Sequence, residues 1–499
     1  MPDAYVTIDA GTGGGKCVVF DSRGNVLGAH RESWTYDVHI DPEIPFVKEF
    51  SFDAPRFWGI LCRCTRNALS QSGVQPKDVA GVAATSQREG CVFVDDQGRE
   101  VYAGPNLDAR AFREGLDILS EFGAERLYRI TGHSAPFIFP LARYLWFRKH
   151  SSATVAHLLM INDWITWRLS GVATAEPSNA TESMLFDLEG RCWSADILAA
   201  FDIPSAMLPT IRRCGDRIGE VTAEAAAATG LAQGTPVFVG GADTQCSLLG
   251  AGAIADGATA ATLGTTTPIQ MVVDRAVFDP HSTLWAGCHV VQDRWVLESN
   301  AGDTGDAYLW ILDMVSGGAP REEALALGER LAAGSVGAPT LMFVGPNVFN
   351  LNKMALNRPG GILFPYPALH VRPSRENFVR SFMENVAFAI HGNLEQIRGV
   401  IGHEIRRLTL SGGMSRSRTL NRVIADVTGL EVHVARQAES AALGCAILIR
   451  AAEDRDFEAA VGTMVQHDTL EPDLESHTRH MSAYAKWREI DDKLGDIEI

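Results

Sequence analysis

No stretch of about 18 uninterrupted apolar residues occurs in this 499-residue chain, so no transmembrane span is expected. Positive charge is also scarce. Against 61 Asp and Glu stand 44 Lys and Arg, a formal net charge of −17 with a pI near 5.3, which argues against nucleic acid or an anionic membrane as partner. A small anionic ligand is not excluded, because it answers to nearby groups rather than to net charge. The nine cysteines offer no framework: Cys62 and Cys64 make the one close pair, and no second pair completes a zinc set. They read as reduced, mostly buried thiols of a cytosolic protein. The N-terminus enters a strand by Tyr5 without the basic and apolar regions of a signal peptide, so a cytoplasmic location is expected. What remains is an ordinary globular composition, 46% hydrophobic and 21% charged, long enough for two large domains.

Two glycine- and threonine-rich turns, each between strand-like runs, sit about half a chain apart. The first is Ala10-Gly11-Thr12-Gly13-Gly14-Gly15, between Tyr5–Asp9 and Lys16–Asp21; the second is Gly264-Thr265-Thr266-Thr267, between Ala260–Leu263 and Pro268–Val273. Small residues let backbone N–H groups approach an anion, and threonine hydroxyls add donors. The run after Gly15 is β-branched and apolar without helical spacing, which disfavours a strand–loop–helix nucleotide fingerprint. Either turn alone is readable as an ordinary hairpin connection; together they suggest a clamp closing on a polyphosphate from both sides.

Around the turns, strands alternate with helices. A helix is expected from Ala54 to Gln71, a buried strand at Val79–Ala84, and another at Pro236–Gly241 that delivers Asp243. Further helices are expected over 303–333, 374–399 and 417–427, a strand at Arg407–Leu410, and an amphipathic closing helix through Tyr484, Trp487, Ile490 and Leu494. The halves read as related α/β folds, divided as 1–247 and 248–499.

Four places could carry chemistry. Asp9 ends a run flanked by Val6 and Ile8, and a carboxylate there needs a cation or a hydrogen-bond set. A hydrated Mg²⁺ beside a triphosphate would meet that need, and a turn-capping role is the alternative. Asp243, after a buried strand and two glycines, could accept a proton from an attacking hydroxyl, or could cap the helix that follows. Gln87-Arg88-Glu89 and Asn106-Leu107-Asp108-Ala109-Arg110 suit hydrogen bonding to a polyhydroxylated ligand, or form a solvated ion-pair cluster. Leu410-Ser411-Gly412-Gly413-Met414 ends a strand in a Gly-Gly turn against which a flat ring could lie.

With these residues in view, the chain resembles the FGGY carbohydrate kinases of the actin-like ATPase superfamily over about residues 4 to 490. The first phosphate motif matches at Asp9-Ala10-Gly11-Thr12, the second at Leu263-Gly264-Thr265-Thr266 and the adenosine motif at Ser411-Gly412-Gly413. Gly240-Gly241-Ala242-Asp243 matches the segment of the catalytic base, and Ser86–Gly90 with Asp108–Ala111 matches the sugar-site hairpin. The resemblance implies two actin-like (ribonuclease H-like) α/β domains, each a mixed sheet flanked by helices, with a catalytic cleft between them. It implies transfer of the γ-phosphoryl group of ATP to a small sugar or polyol with Mg²⁺. Asp243 is the implied base and, with Asp9, a metal ligand. Gly11, Thr12, Gly13, Gly264, Thr265, Thr266, Gly412 and Gly413 are the implied nucleotide contacts. Gln87, Arg88, Glu89, Asn106, Asp108, Asp243 and Thr244 are the implied sugar contacts.

Within the family, Asn106–Arg110, Asn162-Asp163-Trp164, Pro177–Ala180 and Arg143–Trp146 look most similar to autoinducer-2 kinases, which phosphorylate a short linear pentanedione derivative. Gln87-Arg88-Glu89 also resembles the glycerol kinase substrate motif. The chain has Thr244 where glycerol kinases have glutamine, Asn106 where xylulokinases usually have an aromatic residue, and Arg143 where the family signature has lysine; the signature near Gly360-Gly361-Ile362 is partly matched. A homodimer is one assembly open to such an enzyme.

Overall fold

The computed structural model describes residues 4–335, 340–349, 359–363 and 373–497. Two large sheets within them repeat one topology. The first is built from β1 (Ala4–Gly11), β2 (Gly14–Phe20), β3 (Val26–Ser33), β4 (Val79–Ser86), β5 (Arg217–Glu220) and β6 (Pro236–Ala242), in the order β5-β6-β4-β1-β2-β3. The second contains β7 (Thr259–Thr262), β8 (Thr266–Val273), β9 (Trp285–Cys288), β10 (Trp295–Asp303), β11 (Arg407–Ser411), β12 (Glu431–Ala435) and β13 (His467–Leu470), in the order β9-β10-β8-β7-β11-β12-β13.

In each sheet an antiparallel three-strand meander leads into parallel pairs: β1 beside β4 and β4 beside β6 in the first, β7 beside β11 and β11 beside β12 in the second. The order of these strands was not legible in sequence, because pairing joins segments far apart in the chain. Central strands buried on both faces read as apolar runs, as β1 and β4 do. The fold is thus two mixed α/β domains of the actin-like kind.

Helices close both faces. The expected helix near 54–71 is α1 (Ala54–Ser72), whose N-terminus is capped by the Asp53 side chain and which stops at Gly73 in the left-handed conformation. After β6 comes α2 (Asp243–Gly250), and the expected boundary at 247/248 falls inside it. The second half adds α3 (Arg375–Ile401), α4 (Arg418–Thr428), α5 (Ser440–Arg450) and α6 (Leu474–Gly495). Tyr484 and Trp487 of α6 pack on Phe388 of α3, giving the closing helix its buried stripe.

The two halves are tied together by α2 and α5. A Cβ at Gly444 would stand 2.0 Å from the Cys246 carbonyl oxygen, and one at Gly250 would stand 2.0 Å from that of Ser440. Their backbones therefore touch, and only glycine fits. Ala442, Ala446 and Ile449 of α5 then share one core with Tyr5, Val18, Phe20 and Ala83 of the first sheet. A helix from late in the chain completes the first half's packing.

Candidate active site

A cavity of about 340 Å³ opens where the two glycine turns face each other, lined by Asp9, Gly11, Thr12, Gly13, Lys16, Arg31, Arg88, Glu89, Asn106, Asp243, Thr244, Gly264, Thr265 and Thr266 among others. The glycines of the turns are informative. Gly11, Gly13 and Gly264 do not have positive φ. A Cβ at Gly13 would meet nothing within 4 Å, and one at Gly264 only the Thr266 carbonyl oxygen at 3.4 Å. Neither backbone strain nor packing requires glycine there, so the bare backbone is left to face the cavity. Gly14 differs, because a Cβ there would lie 2.5 Å from the Glu32 carbonyl oxygen.

Asp9 and Asp243 come from the ends of the two strands that flank β4. Asp9 sits beside Thr85 on one side, and Gly241, two residues before Asp243, sits beside Thr85 on the other. A Cβ at Gly240 would be 1.8 Å from the Ala84 carbonyl oxygen, so this close approach of β6 to β4 demands glycine. Asp243 is not the cap of α2: Ala242 occupies that position, and no side chain caps the helix. Burial, reinforced by the negative charge of Asp9, pushes the Asp243 carboxyl up to about 7, against the pull of Arg88. A carboxylate held near neutrality suits proton transfer at physiological pH.

Two cations neutralise the acidic floor, each by reaching across the molecule. The Lys16 ammonium lies 3.0 Å from Asp9 Oδ2 and 2.5 Å from Glu439 Oε2, the residue preceding α5. Burial alone would lower this ammonium, but the charges of Asp9 and Glu439 outweigh it and raise it. Arg88 donates from its two terminal nitrogens to both oxygens of Glu298, at 2.8 and 2.9 Å, and stands 3.5 Å from Glu182. Beside it, burial pushes the Glu89 carboxyl upward, and Glu89 adopts a left-handed backbone with φ 55°. Such strain in a non-glycine residue persists where surrounding structure enforces it, often at functional sites.

Other expected residues serve the site from behind. Gln87 donates to the Gly11 carbonyl at 3.4 Å and to Tyr36 Oη at 3.2 Å, and accepts from the Asn106 backbone N–H at 2.9 Å. It does not line the cavity; it braces the first turn against the Asn106 loop. The Asn106 side chain in turn meets Thr12 Oγ1 at 3.1 Å.

Asp108 and Gly412 have structural partners of their own. Asp108 is fully buried away from the cavity, accepting from Tyr102 Oη at 2.5 Å, Arg110 Nε at 2.7 Å and the Phe50 N–H at 2.9 Å, so its carboxylate is spent on structure. Gly412 has φ 90°, and a Cβ there would be 2.6 Å from the Leu263 carbonyl oxygen; conformation and packing account for it. Gly413 faces open space, with nothing within 4 Å of a Cβ. Neither glycine is among the lining residues of the cavity between the turns.

Lys16, Arg31, Ser247, Thr262, Pro268 and Ala441 line the cavity without having been singled out from sequence. For Lys16 a signal existed: it pairs directly across the hairpin from Asp9.

Residues 4–250 match the FGGY family of carbohydrate kinases, N-terminal domain, and residues 259–452 match its C-terminal domain. The chain belongs to the FGGY family of carbohydrate kinases. It is an enzyme of that family, using ATP to phosphorylate a hydroxyl of a small sugar-like molecule. Autoinducer-2 kinase of Escherichia coli (strain K12) is 30% identical over 99% of this chain and 95% of its own length, and that of Yersinia enterocolitica is 30% identical over 98% and 94%. Xylulose kinase from Rhodospirillum rubrum superposes with a TM-score of 0.83 at 23% identity, covering 98% of this chain and 99% of its own. Glycerol kinase from Plasmodium falciparum, solved with ADP, gives 0.82 at 17% identity and 98% of both chains. Among the described residues no helix is long and apolar enough to cross a membrane.

Proposed function

We propose that this kinase phosphorylates an uncharged, short polyhydroxylated carbonyl compound of the autoinducer-2 type, with Asp243 as base. The observation that carries the reading is the position of Asp243: between the two glycine turns, beside Arg88 and Glu89, with its carboxyl raised to about 7 by burial and by Asp9. The acceptor hydroxyl hydrogen-bonds to Asp243, its oxygen attacks the γ-phosphorus, ADP departs, and the proton passes to the carboxylate. In such transfers the base chiefly orients the nucleophile. Thr12, Thr265 and Thr266 with their backbone N–H groups hold the phosphates, Gly413 lies against the adenosine, and Asn106 and Thr244 complete the acceptor wall.

Arg88 and Glu89 recognise acceptor hydroxyls. Because Glu298 and Glu182 already oppose the Arg88 charge, Arg88 is not a surplus cation for a carboxylate-bearing sugar acid. The relatedness to autoinducer-2 kinases over nearly the whole chain supports the same substrate class.

Asp9 and Asp243 suit Mg²⁺, a hard cation that takes one or two carboxylates and completes its shell with water and phosphate oxygens. The donor set is all oxygen, and burial and the Asp9 charge, which raise the Asp243 carboxyl, are what a bound cation would offset. When bound, Mg²⁺ supplies charge neutralisation at the phosphates. ADP release from Mg-ATP tests the reading across 4,5-dihydroxy-2,3-pentanedione, xylulose, ribulose, glycerol, erythritol and gluconate. The pentanedione is expected to lead and gluconate to be inert; a preferred pentulose, polyol or gluconate would overturn the substrate assignment.

A further inference from the structure

We infer that Glu298, in the second half of the chain, is a positioning residue for the acceptor: it fixes Arg88 so that acceptor recognition depends on both halves at once. The inference rests on the reading that Arg88 faces the acceptor.

The geometry is a cross-strand row. On the second sheet, Glu298 of β10 is directly opposite Trp285 of β9 on one side and Gln270 of β8 on the other. Residues directly opposite in adjacent strands project from the same face of a sheet. All three act on the same point. Glu298 takes Arg88 with two hydrogen bonds, Gln270 Nε2 donates at 2.8 Å to Glu298 Oε2, and the Arg88 guanidinium lies 5.4 Å from the Trp285 ring centre. Glu298, Gln270 and Arg88 are all buried. A paired fork of this kind fixes the guanidinium plane as well as its position.

Arg88 itself follows β4 of the first sheet, 210 residues away in sequence. Of its five N–H groups, Glu298 and Glu182 occupy three. The other two, one on Nη2 and one on Nε, can reach an acceptor hydroxyl only in the orientation that Glu298 imposes. Without the Glu298 charge, Arg88 would turn toward Glu182 or Glu89, which stand 3.5 and 4.0 Å from it.

The test is a kinetic cycle on the full-length enzyme: wild type, Arg88→Ala, Glu298→Gln and the double variant. The acceptor is dihydroxypentanedione, or whichever of the other five compounds is turned over faster. Glu298→Gln is expected to raise the acceptor KM roughly tenfold or more while the KM for Mg-ATP stays within about twofold. In the Arg88→Ala background the same change is expected to add less than about twofold, since its effect runs through Arg88. Glu298→Asp keeps the charge and is expected to recover part of the loss; it also serves if the glutamine variant fails to fold. An acceptor KM within about twofold of wild type in Glu298→Gln, with Arg88→Ala impaired, overturns this inference alone. Equal rises in both KM values, or full effects in the double variant, overturn it in favour of a general structural role. An unimpaired Arg88→Ala overturns the underlying reading of Arg88.

Discussion

Asp9 and Asp243 leave the ends of two strands that lie on either side of β4, and the charge of the first helps hold the carboxyl of the second at about 7. Asp243 must be ionised to accept a proton, so activity is expected to be present above that value and to fall as pH drops through it. With both Mg-ATP and acceptor held well below their KM values, the rate reports groups on the free enzyme. The acid limb is expected near 7 in the wild type and absent from the residual activity of Asp243→Asn. A limb that survives in Asp243→Asn assigns the titration to another group.

The same pair is the proposed Mg²⁺ site. Chelation with EDTA is expected to abolish turnover, and Asp9→Asn to raise the Mg²⁺ concentration for half-maximal rate by roughly tenfold, one of two carboxylates being lost. An unchanged Mg²⁺ requirement would leave Asp9 as the partner of Lys16 only.

Two glycines, one in the first turn and one inside β6, should behave oppositely. Gly13→Ala puts its methyl into the open cavity, so thermal stability should stay within about 1 kcal/mol while the KM for ATP rises. Gly240→Ala drives a methyl to 1.8 Å from the Ala84 carbonyl oxygen and should destabilise by about 3 kcal/mol or more. Chemical denaturation of both variants checks the contrast; equal stability losses would contradict it.

Asp108 lies in the motif read as sugar-binding yet is fully buried and is not among the residues lining the cavity. Asp108→Ala leaves Arg110 Nε, the Tyr102 hydroxyl and the Phe50 N–H without their acceptor, while Arg110 Nη2 keeps the Phe50 carbonyl, at a cost of about 3–5 kcal/mol. Its folded fraction should keep the wild-type acceptor KM. A raised KM without loss of stability would return Asp108 to the substrate site.

These cases show what the sequence made legible. That Asp9, Asp243 and the two turns stand out as a group was readable because each is a local pattern of strand and small residues, and the structure brings them to one cavity. The structural partners of Asp108 were not legible because a motif gives proximity along the chain but not the direction of a side chain. Glu439 and Glu298 were missed for a different reason. They meet Lys16 and Arg88 across separations of 423 and 210 residues, and only the close crossing of α2 with α5 and the cross-strand row on the second sheet bring them there. The doubling of the fold was visible as repeated α/β alternation, whereas the strand order that makes the two sheets equivalent was not.

The most direct measurement follows the phosphorylated acceptor itself by ³¹P NMR, with wild type and Asp243→Asn mixed with Mg-ATP and dihydroxypentanedione. Wild type is expected to form a phosphomonoester with one ADP per product. Asp243→Asn is expected to form it on the order of a thousandfold more slowly while binding ATP with near-normal affinity. Product formed by Asp243→Asn at a rate close to wild type would contradict the assignment of Asp243 as the base.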